Sequence, residues 1–85
     1  MRQLEVLPRW RLRVTFMDGL AGEVDLAAWL ESPKVAGTVF EPLREEAFFG
    51  KAFLDLGVVT WPNGADLAPD AMYDEIREAG RWELE

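Results

Sequence analysis

The sequence contains no histidine and no cysteine, and Ser32 is its only serine. Imidazole bases, thiolate nucleophiles and zinc sites built from histidine and cysteine are therefore excluded. A serine nucleophile would need a lysine base, and no pattern around Lys34 or Lys51, the two lysines, supports such a pair. Only carboxylates and arginines remain in any number, which argues against catalysis without excluding it.

Long apolar runs are also missing, although hydrophobic residues make up 49% of the 85 residues. The longest candidates are interrupted and much shorter than the roughly 20 residues that span a bilayer. The N-terminus MRQLEVLPRWR lacks the apolar core of a signal peptide. We therefore expect no membrane partner and a cytoplasmic location. The length predicts a single domain over residues 1–85, with four Trp and five Phe available for its core.

Basic residues are outnumbered, because 9 Lys and Arg stand against 16 Asp and Glu and give a net charge of −7. This charge opposes direct nucleic-acid binding by the whole molecule. It is unevenly distributed, with a local charge of +3 over residues 1–13 and of −5 over residues 66–85. The acidic final part of the chain favours a basic protein as partner.

Alternating apolar and polar residues in WRLRVTF predict a half-buried strand, followed by a hairpin. The hairpin loop has either two residues, Asp18-Gly19, or three, Met17 to Gly19. Only the three-residue loop sets apolar residues opposite apolar ones and basic residues opposite acids: Leu12 opposite Val24, Arg11 opposite Asp25 and Arg13 opposite Glu23. We therefore predict this loop, with Gly19 at positive φ. Because those acids neutralise the arginines, a solvated face is favoured over a phosphate-binding strip.

The remaining elements follow from similar local patterns. The sequence predicts a first strand QLEVLP, a short helix in DLAAWLESP, one or two helical turns in PLREEAFFG, a second hairpin KAFLDLGVVTW with Leu56-Gly57 at its tip, and a helix APDAMYDEIREAG that ends at Gly80 with Met72, Ile76 and Ala79 inward. The predicted fold class is α+β: a small single domain of antiparallel β-hairpins, with about five strands, a short helix after strand 3 and a C-terminal amphipathic helix.

Polar residues cluster where the second hairpin leads into the last helix, in WPNGADLAPD. Asn63 and Gly64 favour a turn. Asp66 is predicted to accept hydrogen bonds from backbone N–H groups of this turn or of the first helical turn, because Pro69 brings no N–H and Ala68 is a poor cap. An alternative hypothesis makes Trp61 and Asp66 the centre of a small-molecule-binding or carboxylate-based catalytic site.

Three acids of the last helix, Asp70, Asp74 and Glu78, fall on one stripe at i, i+4 and i+8. Oxygen-rich clusters suit Mg²⁺ or Ca²⁺. A helical stripe, however, separates its carboxylates by about 6 Å per step along a solvated ridge. We therefore predict a solvated face here, with no metal and no cofactor.

The tail RWELE follows the predicted end of the helix and places Trp82 and Leu84 at alternate positions. We expect both side chains to be buried against something, because burying a Leu-sized side chain is worth about 1.5–3 kcal/mol. Either the tail folds back over an open edge of the core, or it docks onto a second molecule. Trp82 and Leu84 are therefore the candidate partner-contact residues, for a homo-oligomer or for another protein.

Three stretches carry a resemblance to a known family: RLRVTFMDGLAGEVDL, GTVFEPL and VTWPNGADLAPDAMY. Together they resemble the small bacterial family catalogued as domain of unknown function 2442, over roughly residues 5 to 73. The resemblance implies a compact α+β fold with no established catalytic residues. Members are often encoded beside another small protein, an arrangement that suggests a toxin–antitoxin-like pair. Some longer relatives carry an appended helix-turn-helix domain, which these 85 residues do not contain.

From these observations we expect a non-enzymatic protein-interaction module. Its expected role is that of an antitoxin-like partner of a small neighbouring protein, without direct contact to nucleic acid. The alternative is the small-molecule-binding or carboxylate-based catalytic domain around Trp61 and Asp66.

Overall fold

The computed structural model describes residues Met1–Glu85 and contains six strands and three α-helices. In chain order the elements are β1 Gln3–Leu7, β2 Arg11–Thr15, β3 Ala21–Asp25, α1 Ala27–Glu31, α2 Glu46–Phe49, β4 Phe53–Asp55, β5 Val58–Thr60, α3 Pro69–Ala79 and β6 Arg81–Glu83. Two 3₁₀ turns, Pro33–Val35 and Glu41–Arg44, lie between α1 and α2. None of the helices is long and apolar enough to cross a bilayer.

The strands form a four-stranded sheet in the order β1-β2-β3-β6 and a separate hairpin of β4 and β5. All strand pairs are antiparallel except β3 and β6, which run parallel. The predicted α+β class, the short helix after strand 3 and the C-terminal helix are confirmed. The sixth strand comes from the tail, whose three-residue length is too short to predict from alternation alone.

The loop between β2 and β3 has three residues, as predicted. The Phe16 N–H donates to the Leu20 carbonyl at 2.7 Å, and the Gly19 N–H donates to the Phe16 carbonyl at 3.0 Å. Gly19 has φ of +93°, and Asp18 Oδ1 accepts the Leu20 N–H at 3.0 Å. The register that follows is the one selected by burial and charge, with Leu12 opposite Val24.

The same loop occurs a second time after β5. The Trp61 N–H donates to the Ala65 carbonyl at 2.8 Å, and the Gly64 N–H donates to the Trp61 carbonyl at 2.9 Å. Gly64 has φ of +90°, and Asn63 Oδ1 accepts the Ala65 N–H at 3.2 Å. Asn63 and Gly64 are therefore turn residues as predicted, but the turn belongs to a hairpin that continues beyond it.

This continuation explains why the cap prediction for Asp66 is wrong. Asp66 bridges Thr60 across the hairpin, and the Leu67 N–H donates to the Val59 carbonyl at 3.1 Å. The residue at the N-cap of α3 is Ala68, with no side-chain hydrogen bond. Extended pairing thus holds Asp66 away from the helix, and Pro69 at the first helical turn brings no N–H that needs a cap.

Sixteen buried hydrophobic residues form one core between the main sheet, α3 and the second hairpin. The helix contributes Met72 and Ile76, whereas Ala79, predicted to face inward, is exposed. The two buried residues are four positions apart, so the next position with this spacing is Gly80 and not Ala79. Gly80 ends the helix with φ of +80°, as predicted for a left-handed stop.

A close approach between β3 and the end of α3 requires the glycine at position 22. A Cβ atom built on Gly22 would lie 2.7 Å from the Gly80 carbonyl oxygen and 2.7 Å from Ile76 Cγ2. Both distances are shorter than any carbon contact that packed side chains tolerate, and one partner is backbone. The end of α3 therefore seats against the sheet only because position 22 has no side chain.

We predict that Gly22→Ala destabilises the protein by about 1–3 kcal/mol, because the helix end must move away from the sheet. Gly50→Ala is the matched control, since its added Cβ would meet the nearest atoms at 3.5 and 3.6 Å, ordinary contact distances. The control should change stability by no more than about 0.5 kcal/mol. Urea unfolding measures both variants, and equal stability of the two would contradict the assigned clash.

The tip of the second hairpin is conformationally strained. Leu56 and Gly57 connect Asp55 to its partner Val58, with φ of +50° and +81°. Two-residue loops with positive φ at both positions favour Asn-Gly, because Asn tolerates the left-handed region better than Leu. Leu56 is also 99% exposed, so burial does not offset the strain.

Leu56→Asn should therefore stabilise the protein by about 0.5–2 kcal/mol, the usual gain from a corrected turn residue. Leu56→Ala removes the same exposed side chain but lacks the short polar group with which Asn stabilises the left-handed conformation, so it should give little or no gain. Thermal and urea unfolding compare the two variants. If the Asn variant is no more stable than the Ala variant, the backbone strain at position 56 is not significant.

Candidate protein-contact site

The tail lies back along the main sheet, as one of the two alternatives for it predicts. The Leu84 N–H donates to the Asp25 carbonyl at 3.0 Å, and the Leu84 side chain is only 9% exposed in the core. Trp82 is half-buried opposite Val24. Lys34 Nζ donates to the Glu85 carbonyl at 2.8 Å and holds the end of the tail.

Trp82 also borders an open groove of about 390 Å³ beside β6. The groove is lined by Trp29 of α1 together with Trp82 and the three residues that follow it. The Trp29 ring packs edge-on against Phe40, with ring centroids 4.8 Å apart. Half-buried indoles next to a free strand edge are typical of protein-contact surfaces, in which aromatic residues are enriched.

The exposed face of α3 carries four carboxylates without an ion-pair partner in the molecule. These residues are Asp70, Asp74, Glu75 and Glu78, and we call them the acidic face. Asp70 lies in the first turn, where a negative charge complements the helix dipole. No three acids of the protein are grouped closely enough to hold a metal ion.

The arginines of β2 are paired, in contrast to the acidic face. Glu23 accepts Arg11 Nη1 at 3.1 Å and Arg13 Nη2 at 3.3 Å, while Asp25 accepts Arg81 Nη2 at 3.2 Å. The backbone register is the predicted one, but Arg11 bonds diagonally to Glu23, while Asp25 accepts Arg81 of the tail and the Ala27 N–H. The main sheet thus neutralises its own cations and leaves the acidic face unpaired.

Trp61 and Asp66 are not brought together in a pocket. Trp61 is 1% exposed, and its Nε1 donates to the Phe49 carbonyl at 2.9 Å within the core. Asp66 is exposed at the surface. None of the five cavities of the protein is lined by either residue, and the largest, about 520 Å³, is an open groove between β1, β2 and β4. The alternative hypothesis of a ligand site here has no supporting geometry.

A comparison with protein families now adds to these observations. A family model described as "Protein of unknown function (DUF2442)" matches residues 1–78. The chain belongs to the DUF2442 family. No curated protein and no solved structure matches the chain. The DUF2442 match covers β1 to β5 and nearly all of α3, while β6 lies beyond it. The family description names no activity.

Trp10 packs against the core as the alternation predicts, and its carbonyl accepts the Leu26 N–H at 2.9 Å, but it lies outside β2. It lies in the connection between β1 and β2, where Arg9 and Trp10 have φ of +65° and +58°. Its Nε1 is the one buried side-chain polar atom without a hydrogen-bond partner. An open cavity of about 230 Å³ lies beside it, bordered by Leu30 and Arg44 among others. Trp10 is therefore a strained turn residue rather than the first residue of a strand.

Tyr73 is a residue that local patterns missed, and it ties α3 to the first hairpin of the DUF2442 fold. Its hydroxyl donates to Asp18 Oδ2 at 2.5 Å, and its ring packs edge-on against Phe16 with centroids 5.0 Å apart. The Tyr73 hydroxyl, with help from the Leu20 N–H, lowers the pKa of Asp18. The bond to the Asp18 carboxylate raises the pKa of Tyr73 in turn, as does burial.

These two pKa shifts predict a pH-dependent contribution to stability. The pKa of Asp18 is lowered in the folded protein, so its contribution is present above the ordinary value of 3.8 and is lost as pH falls through the folded value. The pKa of Tyr73 is raised, so its contribution is present below the ordinary value of 10.0 and is lost as pH rises through the folded value.

Tyr73→Phe keeps the ring and removes the hydroxyl, so it should lower the urea midpoint at neutral pH. The gap between wild type and the variant should narrow in acid below the pKa of Asp18. It should also narrow in base above the pKa of Tyr73. Urea unfolding over the full pH range measures the gap, and a gap that does not change with pH would exclude this hydrogen bond as its source.

Proposed function

We propose that this DUF2442 protein is a non-catalytic protein-interaction module that binds a small basic protein through the acidic face of α3. The proposed role is antitoxin-like: the acidic face covers a cationic surface of a small protein encoded beside it, in the bacterial cytoplasm. The observation that carries the proposal is the set of four exposed carboxylates, Asp70, Asp74, Glu75 and Glu78, which have no cationic partner in the protein.

The arrangement of charge supports an acidic binding surface over a basic one. The net charge is −7, and the arginines of β2 are bonded to Glu23. α3 has 11 residues, so its exposed ridge is about 16 Å long at 1.5 Å per residue. The partner surface that would fit this ridge is a row of lysines or arginines of similar length. Complementary charge on the partner speeds encounter.

The physical character of the complex follows from the exposure of these carboxylates. Exposed ion pairs contribute about 0.2–1 kcal/mol each and weaken as salt screens them. Four of them therefore supply on the order of tenfold or more in affinity, and most of the effect lies in the association rate. Apolar contacts with the partner must supply the rest of the binding free energy.

The test uses two variants that remove the same number of charges from different places. The first neutralises the acidic face: Asp70→Asn, Asp74→Asn, Glu75→Gln and Glu78→Gln. The matched control neutralises four exposed acids outside α3 that take part in no ion pair: Glu5→Gln, Glu31→Gln, Glu45→Gln and Asp55→Asn. Circular dichroism and urea unfolding verify that both variants fold.

Wild type should co-purify with the product of the adjacent gene at low ionic strength, with an affinity that falls as salt rises. The acidic-face variant should bind about tenfold more weakly with a flatter salt dependence, because its four ion pairs are lost. The control should stay close to wild type. Absence of a wild-type complex at low ionic strength contradicts the proposal. If both variants bind the partner equally weakly, the net charge of the protein and not the acidic face determines binding.

A further inference from the structure

Strand β6 leaves hydrogen-bonding groups unpaired at the free edge of the main sheet. The Leu84 N–H donates to the Asp25 carbonyl, and Asp25 is in register with Glu83. The backbone groups of Trp82 and Leu84 are therefore directed toward β3. Because alternate residues of a strand direct these groups to opposite sides, the N–H and C=O groups of Arg81 and Glu83 point away from the sheet. They form a short row of two donors and two acceptors.

The side chains of this strand are complementary to a second copy of the same strand. Read antiparallel, Arg-Trp-Glu stands opposite Glu-Trp-Arg. A pairing centred on Trp82 places Arg81 opposite the partner's Glu83 on both sides of the two-fold axis. A pairing centred on Arg81 or on Glu83 instead opposes two like charges at the axis, which is unfavourable. Charge thus selects one register.

The backbone groups fit the same register. Arg81 and Glu83, whose N–H and C=O groups are free, become the hydrogen-bonded pairs. Trp82 becomes the non-hydrogen-bonded pair, in which Cα atoms are closest, at about 4.5 Å, and side chains meet.

An unsatisfied charge at the edge points to what the second copy supplies. Asp25 and Glu83 are in register on neighbouring strands and share one cation, Arg81. Arg81 Nη2 lies 3.2 Å from Asp25 Oδ2 but 3.8 Å from Glu83 Oε2, so Glu83 is the weaker partner. In the Trp82-centred register, the partner's Arg81 supplies the second cation for Glu83.

We propose that two copies of this chain associate through antiparallel pairing of β6, so that two four-stranded sheets join into one continuous sheet. The two Trp82 side chains contact each other at the two-fold axis of the dimer and extend the aromatic surface that each forms with Trp29. Pairing of three residues is a small contact compared with the ~1,200–2,000 Å² of stable interfaces, so the dimer is weak, with a dissociation constant on the order of micromolar. The surface is separate from the acidic face, and the proposal does not depend on the proposed function.

The decisive experiment exchanges charges between copies. Arg81→Glu makes both edge charges negative, and Glu83→Arg makes both positive, so each variant alone repels its own copy. A mixture of the two restores opposite charges at every position of the Trp82-centred register. Glu85→Arg is the control, with the same change of charge two residues beyond the pairing. Sedimentation velocity over a concentration series measures association of the full chain, and circular dichroism monitors folding.

Wild type and Glu85→Arg should dimerise reversibly, each single variant should dimerise at least tenfold more weakly, and the equimolar mixture should recover dimerisation as a heterodimer. The acidic-face variant should dimerise like wild type, which separates this proposal from the proposed function. A wild type that stays monomeric at concentrations well above micromolar would overturn the proposal. A mixture of folded variants that fails to recover dimerisation would overturn it equally.

A second variant keeps the test informative if Arg81→Glu fails to fold because it also loses the bond to Asp25. Glu83→Pro removes an N–H that points away from the sheet, and proline is tolerated at such edge positions. The variant should keep the β3–β6 pairing and lose the dimer. A folded Glu83→Pro protein that dimerises as tightly as wild type would exclude pairing through this edge.

Discussion

The architecture depends on the contact between Gly22 and the last turn of α3. With no side chain at position 22, the Gly80 carbonyl and the Ile76 side chain lie directly against β3. Gly80 then turns the chain in the left-handed conformation, so that Arg81 begins β6 in register with Glu23. The packing of the helix, the direction of the tail and the parallel pairing all follow from one position at which the backbones meet.

Local chemistry predicted those parts of the fold in which the interacting residues are close in sequence. The Met17–Gly19 loop was predictable because only one loop length sets Leu12 opposite Val24 and satisfies both arginines. Residues distant in sequence were not: Tyr73 bonds Asp18 across 55 positions, and no local pattern indicates it. β6 was missed because it has only three residues and because its partner strand precedes it by more than fifty residues.

The errors in the candidate site have a physical cause as well. The polar residues before Asp66, beginning with Pro62, are typical of a loop that ends a strand, which is why Asp66 is predicted to serve the turn or the first helical turn. A proline at the first position of a three-residue loop is compatible with a hairpin, since its N–H is not needed there. Recognising that Pro62-Asn63-Gly64 matches Met17-Asp18-Gly19 in chemistry would have placed Asp66 in an extended strand. The fold around Trp61 could thus be predicted from the sequence. For Trp82 and Leu84, the sequence left fold-back and docking open and did not indicate the partner strand.

The tail has a further consequence for the behaviour of the sheet in solution. Without β6, the edge of the main sheet would be β3, a five-residue strand whose Val24 belongs to the core. Unpaired strand edges template aggregation, and proteins protect them with short edge strands that carry charge. The tail replaces that edge with three residues, two of which are Arg81 and Glu83. β6 therefore turns the edge of the main sheet into a short charged strand, which pairs favourably only with a strand of matching charge pattern.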